Sequence, residues 1–211
     1  MNFTQAIIPY ATKPISYHLV RSLLKEYKRP NDKINELVKQ GILTPLKKGL
    51  YTTGPEVTLH PDPFLIANHI WGPSYVSLDT ALSWHGFIPE KVFGVSSVTL
   101  KASHTFSTPA GRFDYIHMRT PYYAFGISQL QLGEDQYAMI ATPEKALCDR
   151  IITTSGILFR SPKNVMEYLT ENLRIDESML RSLNIRKLKE WIPSAQKKKT
   201  LLMMIKALQD L

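Results

Sequence analysis

Leu19, Leu23, Leu24 and Tyr27 recur at intervals of four, one and three, which places them on one side of a helix. Lys13-Pro14-Ile15-Ser16 opens that helix, with Ile15 or Ser16 near the N-cap. Lys28-Arg29-Pro30 ends it, because the residue before a proline is pushed out of helical geometry. A second helix starts at once, with Asn31 or Asp32 as cap and Ile34, Leu37 and Val38 as its buried stripe. Gly41 stands where a left-handed C-cap belongs, and Lys33, Asn35, Glu36, Lys39 and Gln40 make the opposite, polar face. Ile42–Leu46 and Leu50–Gly54 then flank Lys47-Lys48-Gly49, two short apolar runs around a basic tip, which predicts a β-hairpin.

Gly54-Pro55 and His60-Pro61-Asp62-Pro63 mark a linker or domain edge by their turn residues. Phe64–Ile70 is expected to be helical. Ser77 is expected to cap a further helix, with Asp79 in its first turn, Leu78, Ala81, Leu82 and Trp84 inward, and Gly86 at its end. Val95–Lys101, Gly111–Met118 and Gln136–Ile140 have the length and β-branched or aromatic content of strands. Thr142-Pro143-Glu144 starts a helix with Thr as cap and Pro at its first position. From Ser161-Pro162 onward the pattern is helical, ending in a helix capped by Ser194 with Leu201, Leu202, Ile205 and Leu208 on one side. The pattern gives an α+β chain: a helix–helix–hairpin unit over 1–54 and a larger part over 55–211, mixed α/β to 155 and helical from 156.

Charge sharpens the division. Residues 1–54 carry nine Lys/Arg against three Asp/Glu, residues 55–150 six against nine, and residues 151–211 eleven against six. Two basic ends around an acidic middle suit an anionic partner that meets the ends. Lys197-Lys198-Lys199 stands at the start of the last helix, against its dipole, which points to a stabilising contact outside that helix. The longest run without a charged side chain, Pro63–Leu78, is interrupted by Asn68, His69 and Gly72-Pro73 and is too short to span a bilayer. The first residues carry no basic start and apolar core of a secretory signal, and the single cysteine, Cys148, excludes an internal disulfide framework. The expected location is a reducing, cytoplasmic one.

Helix, short break, polar-faced helix and basic hairpin is the order of a winged helix-turn-helix. A helix bearing amide and ammonium side chains can enter the major groove, where Asn pairs with adenine and Lys with guanine. Asn31, Lys33, Asn35 and Lys39 are expected at that groove, and Lys47 and Lys48 on phosphate, which positions the protein without reading sequence. Other chemistry is not declared. His60, His69, His85, His104 and His117 are scattered without metal-ligand spacing, Cys148 sits beside Leu147 with no nucleophile motif around it, and no phosphate-cradling glycine loop occurs. The only Glu-x-Lys, Glu26-Tyr27-Lys28, precedes Pro61-Asp62, the wrong order for a restriction-type nuclease. Asp149 has Lys145 at the ion-pair spacing i, i+4. No catalytic residue, metal or cofactor is expected. Two rivals remain: a metal-dependent nuclease using acids of the middle unit, and a basic protein–protein adaptor without DNA binding.

Two strings stand out, Gly72-Pro-Ser-Tyr-Val-Ser-Leu-Asp-Thr-Ala-Leu-Ser-Trp-His-Gly-Phe-Ile-Pro-Glu-Lys-Val92 and Ala141-Thr-Pro-Glu-Lys-Ala-Leu-Cys-Asp149. With the N-terminal unit they resemble the AbiEi-type antitoxins, bacterial transcriptional regulators of type IV toxin–antitoxin and phage-resistance systems. The resemblance covers nearly the whole chain. It implies an N-terminal winged helix that represses its own operon at operator DNA, and a C-terminal domain that counteracts a nucleotidyltransferase toxin encoded alongside. On it, residues 31–40 match the recognition helix and Lys47 and Lys48 the wing.

Overall fold

The computed structural model describes residues 3–90 and 92–211; Lys91, within the longer string, lies outside the described residues. The N-terminal unit runs α1 (Phe3–Ile7), β1 (Ile15–Ser16), α2 (Tyr17–Leu23), α3 (Pro30–Lys39), β2 (Leu43–Lys47) and β3 (Leu50–Thr53). Ser16 is the N-cap of α2, its Oγ accepting from the Leu19 N–H, and it also pairs with Leu50 in the sheet. Helix α2 stops earlier than the apolar spacing suggests. Val20 and Leu24 take the fully buried positions, Leu19 and Leu23 are half-buried, and Tyr27 is exposed on the turn beyond. Helix α3 begins one residue before the expected caps, with Pro30 at its first position and Asp32 in its first turn. It ends as expected: Gly41 adopts φ +70°, its N–H reaches Val38 O, and the Ile42 N–H reaches Leu37 O, a Schellman closure.

The small sheet has the order β1-β3-β2, all antiparallel. Phe3 and Ile7 of α1 pack with Ile15, Val20, Leu24, Ile34, Leu37 and Leu43 into one apolar cluster. The segment before the first expected helix therefore supplies a third helix to this unit. Gly54 closes it, donating to Ile42 O at 2.9 Å, and a Cβ there would lie 2.1 Å from Gly41 O.

The larger body is built on a six-stranded mixed sheet of order β6-β7-β5-β4-β9-β8, comprising β4 (Ser74–Val76), β5 (Val95–Thr99), β6 (His104–Thr108), β7 (Gly111–His117), β8 (Ile127–Gly133) and β9 (Gln136–Ala141). Helices α4 (Pro63–Ile70), α5 (Leu78–Trp84) and α6 (Pro143–Thr153) pack on it. Asp62 caps α4 and Thr142 caps α6 through side-chain oxygens. The remainder is helical: α7 (Pro162–Glu167) running into a π turn over Tyr168–Asn172, then α8 (Glu177–Arg181), α9 (Ile185–Trp191) and α10 (Lys198–Gln209). Strands β5, β7 and β9 fall where the pattern puts them. Strands β4, β6 and β8 do not show in it: β4 has three residues, and β6 and β8 are sheet edges of mixed polar sequence.

Three details depart from the pattern. Trp84 is 51% exposed, because it lies two residues beyond buried Leu82 and so on the far side of α5. Leu202 is 54% exposed; the buried stripe of α10 is Leu201, Met204, Ile205 and Leu208. Helix α10 starts at Lys198, with Lys197 rather than Ser194 at its N-cap in the left-handed region, φ +50°. The Lys197 ammonium donates to Ile151 O and Thr154 O at the C-terminal end of α6, where a cation is favourable. One of the three lysines thus has an internal partner, and Lys198 and Lys199 stay exposed.

Strand β2 serves two cores. Leu43 is buried in the N-terminal cluster, whereas Leu46 is buried in the cluster of the larger body. Leu46→Ala is expected to destabilise the protein by about 2–5 kcal/mol, measured as a shifted urea midpoint. An unshifted midpoint would mean that β2 does not anchor in the larger core.

Candidate nucleic-acid interface

The first turn of α3 and the tip of the hairpin meet across a groove of about 460 Å³. Tyr17, His18, Asn31, Asn35, Lys48 and Tyr51 line it. The Tyr17 N–H donates to Gly49 O at 2.9 Å, which ties the start of α2 to the hairpin tip, and Gly49 adopts φ +78° there. The Tyr17 hydroxyl donates to Asn31 Oδ1 at 2.8 Å and so fixes the Asn31 amide at the groove wall.

The six expected residues divide between two sides of α3 and, for Lys47 and Lys48, between the larger body and solvent at the hairpin tip. Asn31, Asn35 and Lys39 stand four residues apart on one exposed line of the helix, and the first two line the groove. Lys33 lies on another line, its Nζ 2.9 Å from Glu36 Oε1 and 5.6 Å from the centre of the Tyr27 ring. Lys33 holds the Glu36 carboxyl below the usual carboxylate range, and Gln40 Nε2 adds a hydrogen bond to the same oxygen. Lys33 therefore has a partner and Lys39 faces solvent. Lys48 is exposed at the hairpin tip, whereas Lys47 donates to Ile70 O, the last carbonyl of α4, at 2.5 Å. Its desolvation there lowers the Lys47 pKa.

Sequence reasoning missed Tyr17, His18 and Tyr51, whose aromatic character beside a helix start and a hairpin gives no period of its own. It also missed the second basic flank, where Arg21, Lys25 and Lys28 line a neighbouring cavity that shares His18.

The two conspicuous strings meet in the interior of the larger body. Asp149 Oδ2 accepts from Tyr75 Oη at 2.9 Å and from Ser77 Oγ at 2.8 Å, and Asp149 Oδ1 lies 3.1 Å from Lys145 Nζ. Lys145 Nζ also donates to Tyr122 O and lies 3.3 Å from the centre of the Tyr122 ring. Both charged side chains are wholly buried. Burial pushes the Asp149 carboxyl up and the Lys145 ammonium down, and their attraction opposes each shift. Because Ser77 Oγ is committed to Asp149, it makes no side-chain cap to α5. Glu144 points elsewhere and accepts from the Asn184 N–H at the start of α9.

The five histidines beyond His18 are individually engaged: His60 with Thr53 Oγ1, His69 with Leu65 O, His85 with Ala141 O, His117 with Lys101 O, and His104 against the Trp71 and Phe106 rings. No three His, Cys, Asp or Glu side chains converge on a metal-sized point among the described residues. Nor is any helix there long and apolar enough to cross a membrane. Compared with known proteins, the chain matches no protein-family model and no curated sequence.

Asp149→Ala strands a buried ammonium and is expected to cost about 3–5 kcal/mol. Lys145→Met with Asp149→Leu should cost less than the two single changes together, and additive losses in chemical denaturation would contradict the coupling. Burial and the neighbouring carboxylate push the Cys148 thiol up to about 12. The native protein at pH 8 should consequently react with a thiol reagent only as fast as it unfolds.

Proposed function

We propose that the protein is a DNA-binding transcriptional autorepressor, with residues 1–54 acting as a winged helix-turn-helix and β2–β3 as its wing. The observation that carries this reading is the groove between α3 and the hairpin tip, where two amides and an ammonium group stand together on a unit with six more cations than acids. The order of helices and strands and the third helix, α1, fit the same reading. In it, α3 enters the major groove, Asn35 reads base edges, Asn31 approaches with its amide set by Tyr17, and Lys48 takes a phosphate. Lys39 and the Arg21–Lys28 flank supply further positive charge near the backbone. The partner is operator DNA upstream of its own gene.

The resemblance to AbiEi-type antitoxins extends the proposal to a second role: counteracting a nucleotidyltransferase toxin from the same operon, in the cytoplasm and without an enzymatic activity of its own. The test is growth of cells carrying the neighbouring gene with and without this one. Rescue supports the antitoxin role, and unrelieved toxicity, or a harmless neighbour, removes it. Mg²⁺-dependent cleavage of plasmid or RNA by the pure protein would favour the nuclease reading instead.

A salt titration of binding to the upstream DNA, against scrambled DNA of equal length, tests the repressor role. Lys48→Ala should weaken both complexes and reduce the log–log salt slope by about 0.9. Asn35→Ala should lose about 1–3 kcal/mol of discrimination between the two DNAs. A parent protein that binds neither DNA at low salt would overturn the reading.

A further inference from the structure

The wing does not end in open solvent on the side of the larger body. Strand β2, an edge of the small sheet, packs against β6, an edge of the large one. At this seam Lys47 Nζ reaches Ile70 O, and Lys101 Nζ stands 4.8 Å from the centre of the ring of Trp71, the next residue. Two ammonium groups thus converge on the C-terminal end of α4. The helix dipole and the free carbonyl account for Lys47. They leave Lys101 with a ring face alone, and no carboxylate pairs with either lysine among the described residues. Asp114, on the neighbouring β7, is taken up by Arg112 and Thr105. The proximity of Lys101 also weakens the hold of Lys47 on its proton.

The turn that carries Lys101 is held in place. The Lys101 N–H donates to Thr99 Oγ1 at 3.2 Å, and Lys101 O accepts from His117 Nδ1 at 3.0 Å. Ser103 Oγ accepts from the His117 N–H at 2.9 Å, and Trp71 Nε1 donates to Ala102 O at 2.9 Å. Side chains from three elements therefore pin the 100–103 turn, and exposed His104 stands beside it with its ring centre 5.5 Å from that of Trp71. The backbone that carries the Lys101 ammonium is thus fixed beside the hairpin, so that less ordering of the turn is needed when the side chain takes an anion.

We propose that Lys101 is a phosphate-binding residue for duplex DNA lying outside the N-terminal unit, so that the DNA contact continues from the wing across the β2–β6 seam onto the larger body. This rests on the DNA-binding reading above. The experiment measures anisotropy of labelled upstream and scrambled duplexes with the full chain between 50 and 200 mM salt. Lys101→Met keeps an apolar stem over Trp71, and an unchanged urea midpoint certifies its fold. Its salt slope is expected to fall by about 0.9 on both duplexes, with Lys101→Arg restoring the parent slope. Hydroxyl-radical protection should also shorten at one end of the footprint. A parent slope and footprint in Lys101→Met, alongside a reduced slope in Lys48→Ala, would overturn this inference and leave the DNA reading standing. Absence of DNA binding by the parent protein would overturn both.

Discussion

The buried pair of Lys145 and Asp149 is the constraint around which the larger body is arranged. An unpaired charge at either position would be prohibitively costly in an apolar interior, so the surrounding chain is committed to completing the site. Strand β4 brings Tyr75, the residue after it brings Ser77, and the segment before β8 brings the carbonyl and ring of Tyr122. These groups come from two separate stretches and can meet the pair on α6 only when β4 lies beside β9, which leads directly into α6. The pair therefore selects one arrangement of strand, helix and loop from those that hydrophobic burial alone would allow. It also accounts for four polar residues of the two conspicuous strings, Tyr75, Ser77, Lys145 and Asp149, which face inward to one another.

The N-terminal unit depends on the larger body in a different way. Its own cluster contains eight buried apolar side chains, yet its hairpin gives Leu46 to the other core and Lys47 to the end of α4. The hairpin is consequently set by the larger body as well as by its own turn. Any displacement of α4 would be felt at the hairpin tip, which lines the same groove as Asn31 and Asn35.

Much of this was legible in the sequence where a local rule operates. The stop at Gly41, the caps at Thr142 and Ser16, the hairpin around Lys48-Gly49 and the pairing of Lys145 with Asp149 each follow from residues within a few positions of one another. What escaped depends on distant partners. Phe3 and Ile7 belong to too short an apolar pattern to announce a helix, and become one by packing on Ile15 and Val20. Strands β6 and β8 alternate too weakly to be told from loops, being edges with one side in solvent. Trp84 and Leu202 have the composition of core residues and the phase of surface ones. At the candidate interface, the amides and the tip lysine could be picked out by residue type. The engagement of Lys33 by Glu36 and of Lys47 by Ile70 could not, because only three-dimensional placement shows which cations already have partners.

The seam between β2 and β6 has a further consequence, for self-association. Strand edges are where sheets of separate molecules join, and here one edge of each sheet is spent against the other within the same chain. Of the outer edges that remain among the described residues, β1 offers two residues, too few to template a partner strand. Strand β8 offers seven, but its register breaks between Gln131 and Gly133, where the bend disrupts a straight ladder. The contact that positions the hairpin thus also covers two strand borders that could otherwise template association with a second copy.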